Sequence, residues 1–148
     1  MPKLLEEADR SAAIYRLEDQ AGYMLRQANQ RHVAIFGEHV GYKLTPTQWS
    51  ALVRLKELAP CSQNQLGRET AMDIATVKGV VDRLVKRGLV RTAQDPNDGR
   101  RVVLSLSEEG EKTVQEMIPA ATTATSETLS PLTTGERMLF LEMLHKLC

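Results

Sequence analysis

Apolar residues recur three and four positions apart through much of the chain, a spacing that predicts amphipathic α-helices. The clearest stripe comprises Val77, Val80, Val81, Leu84 and Val85. Asp73 is a good N-cap for this helix and Gly88 a good terminator, so we predict a helix over residues 74–87. Its opposite face carries small and hydroxyl residues first and cations later, which suits entry into the major groove of DNA.

Two short β-prone runs follow this helix, at residues 89–93 and 102–106. Between them, residues 94–101 contain an Asp-Pro and an Asn-Asp-Gly sequence, both of which are turn signals. The pattern therefore predicts a β-hairpin whose loop spans residues 94–101.

Capping sequences predict two further helices before residue 74. Residues 45–48 (Thr-Pro-Thr-Gln) form a capping box with proline at the first helical position, which opens a helix to about Leu58. A Ser-x-x-Gln sequence at Ser62 opens a short helix to about Glu69, and a turn at residues 70–72 follows it. Two helices joined by a short turn and followed by a hairpin predict a winged helix-turn-helix DNA-binding domain over residues 45–106.

Both ends of the chain carry more apolar helical surface than a small domain needs. The helical pattern of residues 11–40 would span roughly 40 Å at about 1.5 Å per residue. A second helix starts after Ser107 and is expected to kink or break at Pro119, and a capping box at residues 133–136 opens a strongly apolar last helix. We expect residues 1–44 and 107–148 to form a helical dimerisation region, so the predicted fold class is mainly α (α+β).

The distribution of charge supports a nucleic-acid partner although the total does not. The 148 residues suit one domain, and 19 Lys/Arg balance 19 Asp/Glu. Residues 62–101, however, hold 8 Lys/Arg against 5 Asp/Glu, whereas residues 102–148 hold 3 against 7. The basic excess therefore falls on the predicted DNA-binding domain.

Twelve residues are predicted to contact double-stranded DNA. We expect Thr76 and Lys78 to read base edges, and Arg68, Arg83 and Lys86 to contact phosphates. An arginine of the hairpin would enter the minor groove. The alternatives are a solvated helix face and a hairpin held by an ion pair between Asp98 and Arg101. The full set is Arg68, Asp73, Ile74, Ala75, Thr76, Lys78, Gly79, Arg83, Lys86, Asp98, Arg100 and Arg101.

Four segments together resemble the MarR family of winged helix-turn-helix transcriptional regulators. They are residues 44–49, 80–90, 95–101 and 106–110, and the resemblance extends from about Leu17 to Leu147. It implies a homodimer on pseudo-palindromic DNA with recognition helices roughly 34–36 Å apart. Many relatives have Asp-Arg-Arg in the wing, so the additional Gly99 is expected to widen this turn.

The resemblance also implies a ligand cavity between the dimerisation helices and the DNA-binding lobe, often used for small aromatic acids. Residues 17–23, with Arg26 and residues 30–32, are similar to the repressors of nicotinate catabolism in that family, which answer to a hydroxylated nicotinate. The implied function is repression of a catabolic operon that the acid relieves.

Cationic and hydrogen-bonding side chains beside an aromatic wall would suit such an acid. The candidate residues are Arg26, Arg31, His32, His39 and Trp49. The two histidines are as readily explained as satisfied core residues, and a metal site is a weaker alternative. No cofactor or metal is expected.

Other classes of function have less support. The chain has no Gly-rich phosphate loop, serine elbow, Cys-x-x-Cys or zincin histidine spacing, so we do not expect an enzyme. A redox sensor acting through Cys61 and a protein-interaction module remain open, although an unreactive Cys61 at a helix end is favoured. No signal peptide and no apolar run of about 18 residues is evident, which predicts a cytoplasmic protein without a membrane segment.

Overall fold

The fold is mainly helical, as predicted, and contains one three-stranded antiparallel sheet. It was obtained as a computed structural model, which describes residues 14–41 and 43–148. After a 3-10 turn (Leu17–Asp19), the elements are α1 (Ala21–Val40), α2 (Pro46–Leu58), β1 (Cys61–Ser62), α3 (Gln63–Glu69), α4 (Ile74–Lys86), β2 (Val90–Asp95), β3 (Asp98–Leu106), α5 (Glu108–Thr128) and α6 (Thr134–His145). Of the helices described, none is long and apolar enough to cross a membrane.

The winged helix-turn-helix is confirmed, and its helices start where the capping residues predicted. The Thr45 hydroxyl accepts from the Gln48 N–H at 3.2 Å while the Gln48 side chain accepts from the Thr45 N–H at 3.1 Å. Ser62 caps α3, and the Asp73 carboxylate accepts from the Thr76 N–H at 2.7 Å to cap α4. The initiation of each helix therefore follows from contacts within three residues.

The core lies between α2, α3, α4 and β3, and α1 and α5 close one side of it. Four residues of the α4 stripe are buried, namely Val77, Val80, Val81 and Leu84, whereas Val85 stays 37% exposed at its edge. Leu52, Leu55, Leu66 and Leu104 fill the space opposite them. Burial of this stripe fixes which face of α4 points outward.

The hairpin differs from its prediction in the length of its strands. β2 and β3 extend through most of the expected loop and leave only Pro96 and Asn97 at the tip. Gln94 pairs with Val102 while Asp95 pairs with Asp98, so residues 99–101 lie in an irregular bulge of β3. The additional Gly99 therefore enlarges the strand and does not widen the turn. Ladder hydrogen bonds, which local turn signals do not report, account for the longer strands.

A two-residue strand, β1, was not predicted. Cys61 and Ser62 pair with Leu104 and Val103 and place β3 in the centre of the sheet, in the order β1-β3-β2. Cys61 therefore lies in a strand and not at a helix end, because the segment between α2 and α3 is extended to reach β3.

Of the kink or break expected at Pro119, the break does not occur: α5 continues from Glu108 to Thr128. Val114 before the proline and Ala124 after it are both buried, and the helix packs on α1 and α2. Tertiary packing on both sides of Pro119 thus outweighs the loss of one backbone donor.

The first helix is shorter than predicted. Its expected start, residues 11–13, lies outside the described residues, as does the polar N-terminus before it, but residues 14–16 are not helical and α1 begins at Ala21. Twenty residues give about 30 Å of helix. Only its end is buried, at Ile35, Phe36 and Val40, and no residue of α6 is buried.

Candidate functional site

The outward face of α4 holds most of the predicted DNA-contacting residues. All twelve are exposed except Gly79, which is half-buried. The helix is oriented by its buried valines, so small side chains (Ala75, Gly79) lie in the middle of the exposed face and longer polar ones lie around them. Hydrogen bonds from Thr76 lower the pKa of Asp73, so this carboxylate is committed to the start of the helix.

Gly79 has no structural reason to be a glycine. A Cβ built on it would meet no atom within 4 Å. Gly67 in α3, by contrast, lies against the turn of the helix-turn-helix, where a Cβ would be 3.2 Å from both the Met72 carbonyl oxygen and a Val77 methyl. The open space over Gly79 is available to an external surface that approaches the backbone closely.

Most cations of this face are free of ion pairs. Lys78 pairs with Asp82 one turn later in α4, at 2.9 Å. Within residues 14–41 and 43–148, no ion pair involves Arg68, Arg83 or Lys86. Exposed pairs four residues apart contribute about 0.3–0.5 kcal/mol, so Lys78 can leave Asp82 at little cost.

The wing presents Arg100 and Arg101 on the exposed bulge of β3. The predicted alternative of an Asp98–Arg101 ion pair is wrong for the described structure, because the Asp98 carboxylate instead accepts from the Arg100 backbone N–H at 3.0 Å. This bond holds the backbone and leaves both guanidinium groups exposed. Two nearby arginines serve the fold, since Arg87 donates to the Lys43 carbonyl and Arg91 to the Leu106 carbonyl.

Three of the five candidate ligand residues meet at the end of α5. Arg31 donates to the carbonyls of Thr128 and, at 3.1 Å, of Glu127. The His32 Nδ1 lies 2.8 Å from the Thr128 hydroxyl, and the His39 Nε2 contacts the Glu127 carboxylate. We call Arg31, His32, His39, Glu127 and Thr128 the α1–α5 polar cluster. Sequence reasoning missed Glu127 and Thr128, which lie in a weakly patterned segment almost 100 positions from their partners.

The other two candidates lie apart from this cluster. The Arg26 guanidinium stacks 5.6 Å from the centre of the Tyr23 ring on exposed α1. Trp49 is half-buried in a groove of about 620 Å³ between α2 and α5, whose far wall includes Ile118 and Thr125. Thr125 lies one helical turn before Thr128, so α5 connects the groove with the polar cluster.

Two observations in the described residues bear on the metal and redox alternatives. No group of three or more His, Cys, Asp or Glu side chains there is placed to hold a metal ion. Cys61 is only 2% exposed, and burial, together with the nearby Glu69 charge, raises the pKa of its thiol. Because the thiolate is the reactive form, Cys61 is poorly suited to sensing an oxidant.

Comparison with known proteins gives a consistent picture. The model of the MarR family matches residues 44–102. The chain is 39% identical over 134 residues to the HTH-type transcriptional repressor NicR of Pseudomonas putida, covering 90% of this chain and 85% of that one.

Two solved structures share this fold over about nine-tenths of the chain. A probable transcriptional regulator from Pseudomonas aeruginosa is 52% identical with a TM-score of 0.87, over 90% of this chain and all of that one. BpsR of Bordetella bronchiseptica, whose DNA binding is regulated by 6-hydroxynicotinic acid, is 38% identical with a TM-score of 0.85, over 91% of this chain and 97% of that one.

Proposed function

Because the chain belongs to the MarR family and is a DNA-binding transcriptional regulator, we propose that it acts as a homodimeric repressor that a small aromatic acid releases from its operator. A hydroxylated nicotinate is the first candidate for the acid, since BpsR is regulated by 6-hydroxynicotinic acid. The observation that carries the proposal is the capped α4, with small residues in the middle of an exposed face and unpaired cations around it.

The division of labour on DNA follows from this geometry. Thr76 and Lys78 extend from the first turns of α4 and would read base edges, while Arg68, Arg83 and Lys86 would contact phosphates. An arginine of the wing bulge, Arg100 or Arg101, would enter the minor groove, where the potential is most negative. Phosphate contacts set affinity and its salt dependence, and base contacts set sequence preference.

A second copy of the chain would cover the exposed apolar surface at the two ends. Met138, Leu139 and Met143 of α6 are each more than half exposed, and Leu25 of α1 is 45% exposed. Exposure of these apolar side chains on a monomer is unfavourable in water, and a symmetric dimer would bury them. The dimer would then fix the spacing of the two α4 helices.

We place the acid site at the α1–α5 polar cluster and the adjoining Trp49 groove. The cluster offers a guanidinium and two imidazoles to a carboxylate, and the groove offers an aromatic wall to a ring. A carboxylate that takes Arg31 from the carbonyls of Glu127 and Thr128 would uncap the end of α5. If the acid binds better to a state with displaced α4 helices, DNA affinity falls by the ratio of its two affinities.

Salt dependence tests the DNA-binding part of this proposal. We expect log Kd for a duplex to rise steeply with log salt. Arg83→Ala should weaken binding to specific and random duplexes alike and reduce that slope by about two, since the dimer loses one phosphate contact in each protomer. Arg137→Ala in α6 is a matched arginine control away from the α4 face, with its Nε donating to the Leu132 carbonyl at 3.1 Å. A wild-type slope near zero would instead favour a protein-interaction module.

A further inference from the structure

Ile74 is an apolar residue in a place where neither the core nor the helix requires one. It is the first residue of α4 and is 76% exposed, whereas the four buried apolar residues of this helix, Val77, Val80, Val81 and Leu84, are at most 3% exposed. A β-branched residue is also a poorer helix former than Ala, so helix stability does not favour it. An external contact would bury this large exposed side chain.

The position of Ile74 suits a contact in the major groove of DNA. Cβ atoms of a helix tilt toward its N-terminus, so the Ile74 side chain extends beyond the first turn of α4. It lies one turn before Lys78 on the same side of the helix, next to the small Ala75. In helix-turn-helix proteins the first residues of the second helix reach the base edges.

The charges around Ile74 favour a polyanion over an apolar protein partner. With Asn64 and Arg68 of α3, Ile74 lines a hollow of about 610 Å³ at the turn of the helix-turn-helix. Arg68 and Lys78 flank it with positive charge, and the Asp73 carboxylate is committed to the Thr76 N–H. A protein surface that docked here would have to desolvate these cations, whereas DNA supplies phosphates to them.

We propose that Ile74 is a specificity residue that contacts the C5 methyl group of thymine. Of the four bases only thymine presents a methyl group in the major groove, and apolar side chains recognise it by direct packing. This inference rests on the DNA-binding function proposed above and adds to it the identity of one base in each half-site. Removing one buried methyl group corresponds to about a fourfold increase in Kd, or roughly fifteenfold when both half-sites are changed.

The test uses the full-length protein and a duplex selected by the wild type from random sequences. Each thymine is replaced in turn by deoxyuridine, which lacks only the methyl group. We expect one thymine per half-site at which this replacement weakens wild-type binding about fourfold. Ile74→Ala should bind the thymine and deoxyuridine duplexes equally, and Ile74→Val should retain part of the discrimination.

Two controls make the outcomes distinct. Arg83→Ala should weaken binding to both duplexes and keep the wild-type ratio, because it removes a phosphate contact. An Ile74→Ala variant that keeps the ratio, or a wild type indifferent to every thymine methyl, would overturn the inference while DNA binding stands. Loss of self-association in Ile74→Ala with unchanged DNA binding would assign Ile74 to a second copy. Absence of saturable duplex binding would instead refute the proposed function.

Discussion

The substitution Gly110→Ala probes the junction between the wing and the long helix α5. Gly110 is the third residue of α5, and its N–H donates to the Ser107 hydroxyl at 3.0 Å. A Cβ on residue 110 would lie 2.1 Å from the Leu89 carbonyl oxygen, which is backbone and already accepts from the Ser107 N–H at 3.0 Å. Carbon and oxygen atoms normally approach to about 3.3–3.6 Å, so the helix start must move by more than about 1 Å.

Three terms set the size of the effect. Overpacking against rigid backbone costs about 1–3 kcal/mol. Displacement of the helix start also weakens the Ser107 cap, which contributes about 1 kcal/mol. Alanine returns up to about 1 kcal/mol through its better helix propensity. The net loss of unfolding free energy is roughly 1–3 kcal/mol, which lowers Tm by roughly 2–12 °C for a chain of this size.

Thermal unfolding followed by circular dichroism measures this loss, at a fixed protein concentration because self-association raises Tm. Gly79→Ala is the matched control, since it is also a helical glycine but has open space at its Cβ. The control should unfold at a higher temperature than the wild type. A Gly110→Ala protein as stable as the wild type would show that the start of α5 does not lie against the Leu89 carbonyl oxygen.

Three further outcomes follow from the same geometry. Gly79→Ala should raise Tm by roughly 1–4 °C because alanine is a better helix former than glycine. The same substitution should weaken duplex binding severalfold, because a methyl group would enter the space where DNA is expected to approach. Unchanged duplex binding would exclude close approach of DNA at Gly79. Asp73→Asn keeps a good neutral cap. Because Thr76 lowers the folded-state pKa of Asp73, the stability due to the carboxylate is present above the unfolded pKa of about 3.9 and is lost as pH falls through the folded value. The Tm advantage of wild type over the variant should therefore shrink from pH 5 to pH 2, and a constant difference would contradict the assigned cap. Arg31→Gln should raise the Kd for 6-hydroxynicotinate, measured by isothermal titration calorimetry, at least tenfold, as expected for loss of a charge-assisted hydrogen bond. The control Arg137→Gln should leave this Kd unchanged. Equal Kd values for Arg31→Gln and the wild type would place the acid site elsewhere.

Local sequence predicted the elements whose stability depends on near neighbours. Asp73 and Thr45 cap their helices through residues three positions away, and the stripe from Val77 to Leu84 is buried by helical spacing alone. The face of α4 that remains exposed follows directly from these two facts. For this reason most of the predicted DNA-contacting residues lie on the exposed face of α4.

Capping sequences and helical spacing do not predict contacts between segments that are distant in sequence. The His39–Glu127 contact joins residues 88 positions apart, and nothing in the Thr-rich second half of α5 marks Glu127 as its partner. The continuity of α5 through Pro119 and the pairing of Cys61 with Leu104 likewise depend on tertiary packing. The close approach of Gly110 to the Leu89 backbone has no signal in the sequence, because a glycine near a helix start is equally compatible with open space.

The most direct test is a fluorescence-anisotropy titration of the protein on the duplex upstream of its own gene, repeated with pyridine and benzene carboxylates. We expect tight, salt-sensitive binding that 6-hydroxynicotinate or a related acid reverses in the wild type but not in Arg31→Gln. Tight binding that no acid in the panel disturbs would contradict the proposed release while leaving the DNA-binding surface in place. Binding without salt dependence would contradict the assignment of that surface itself.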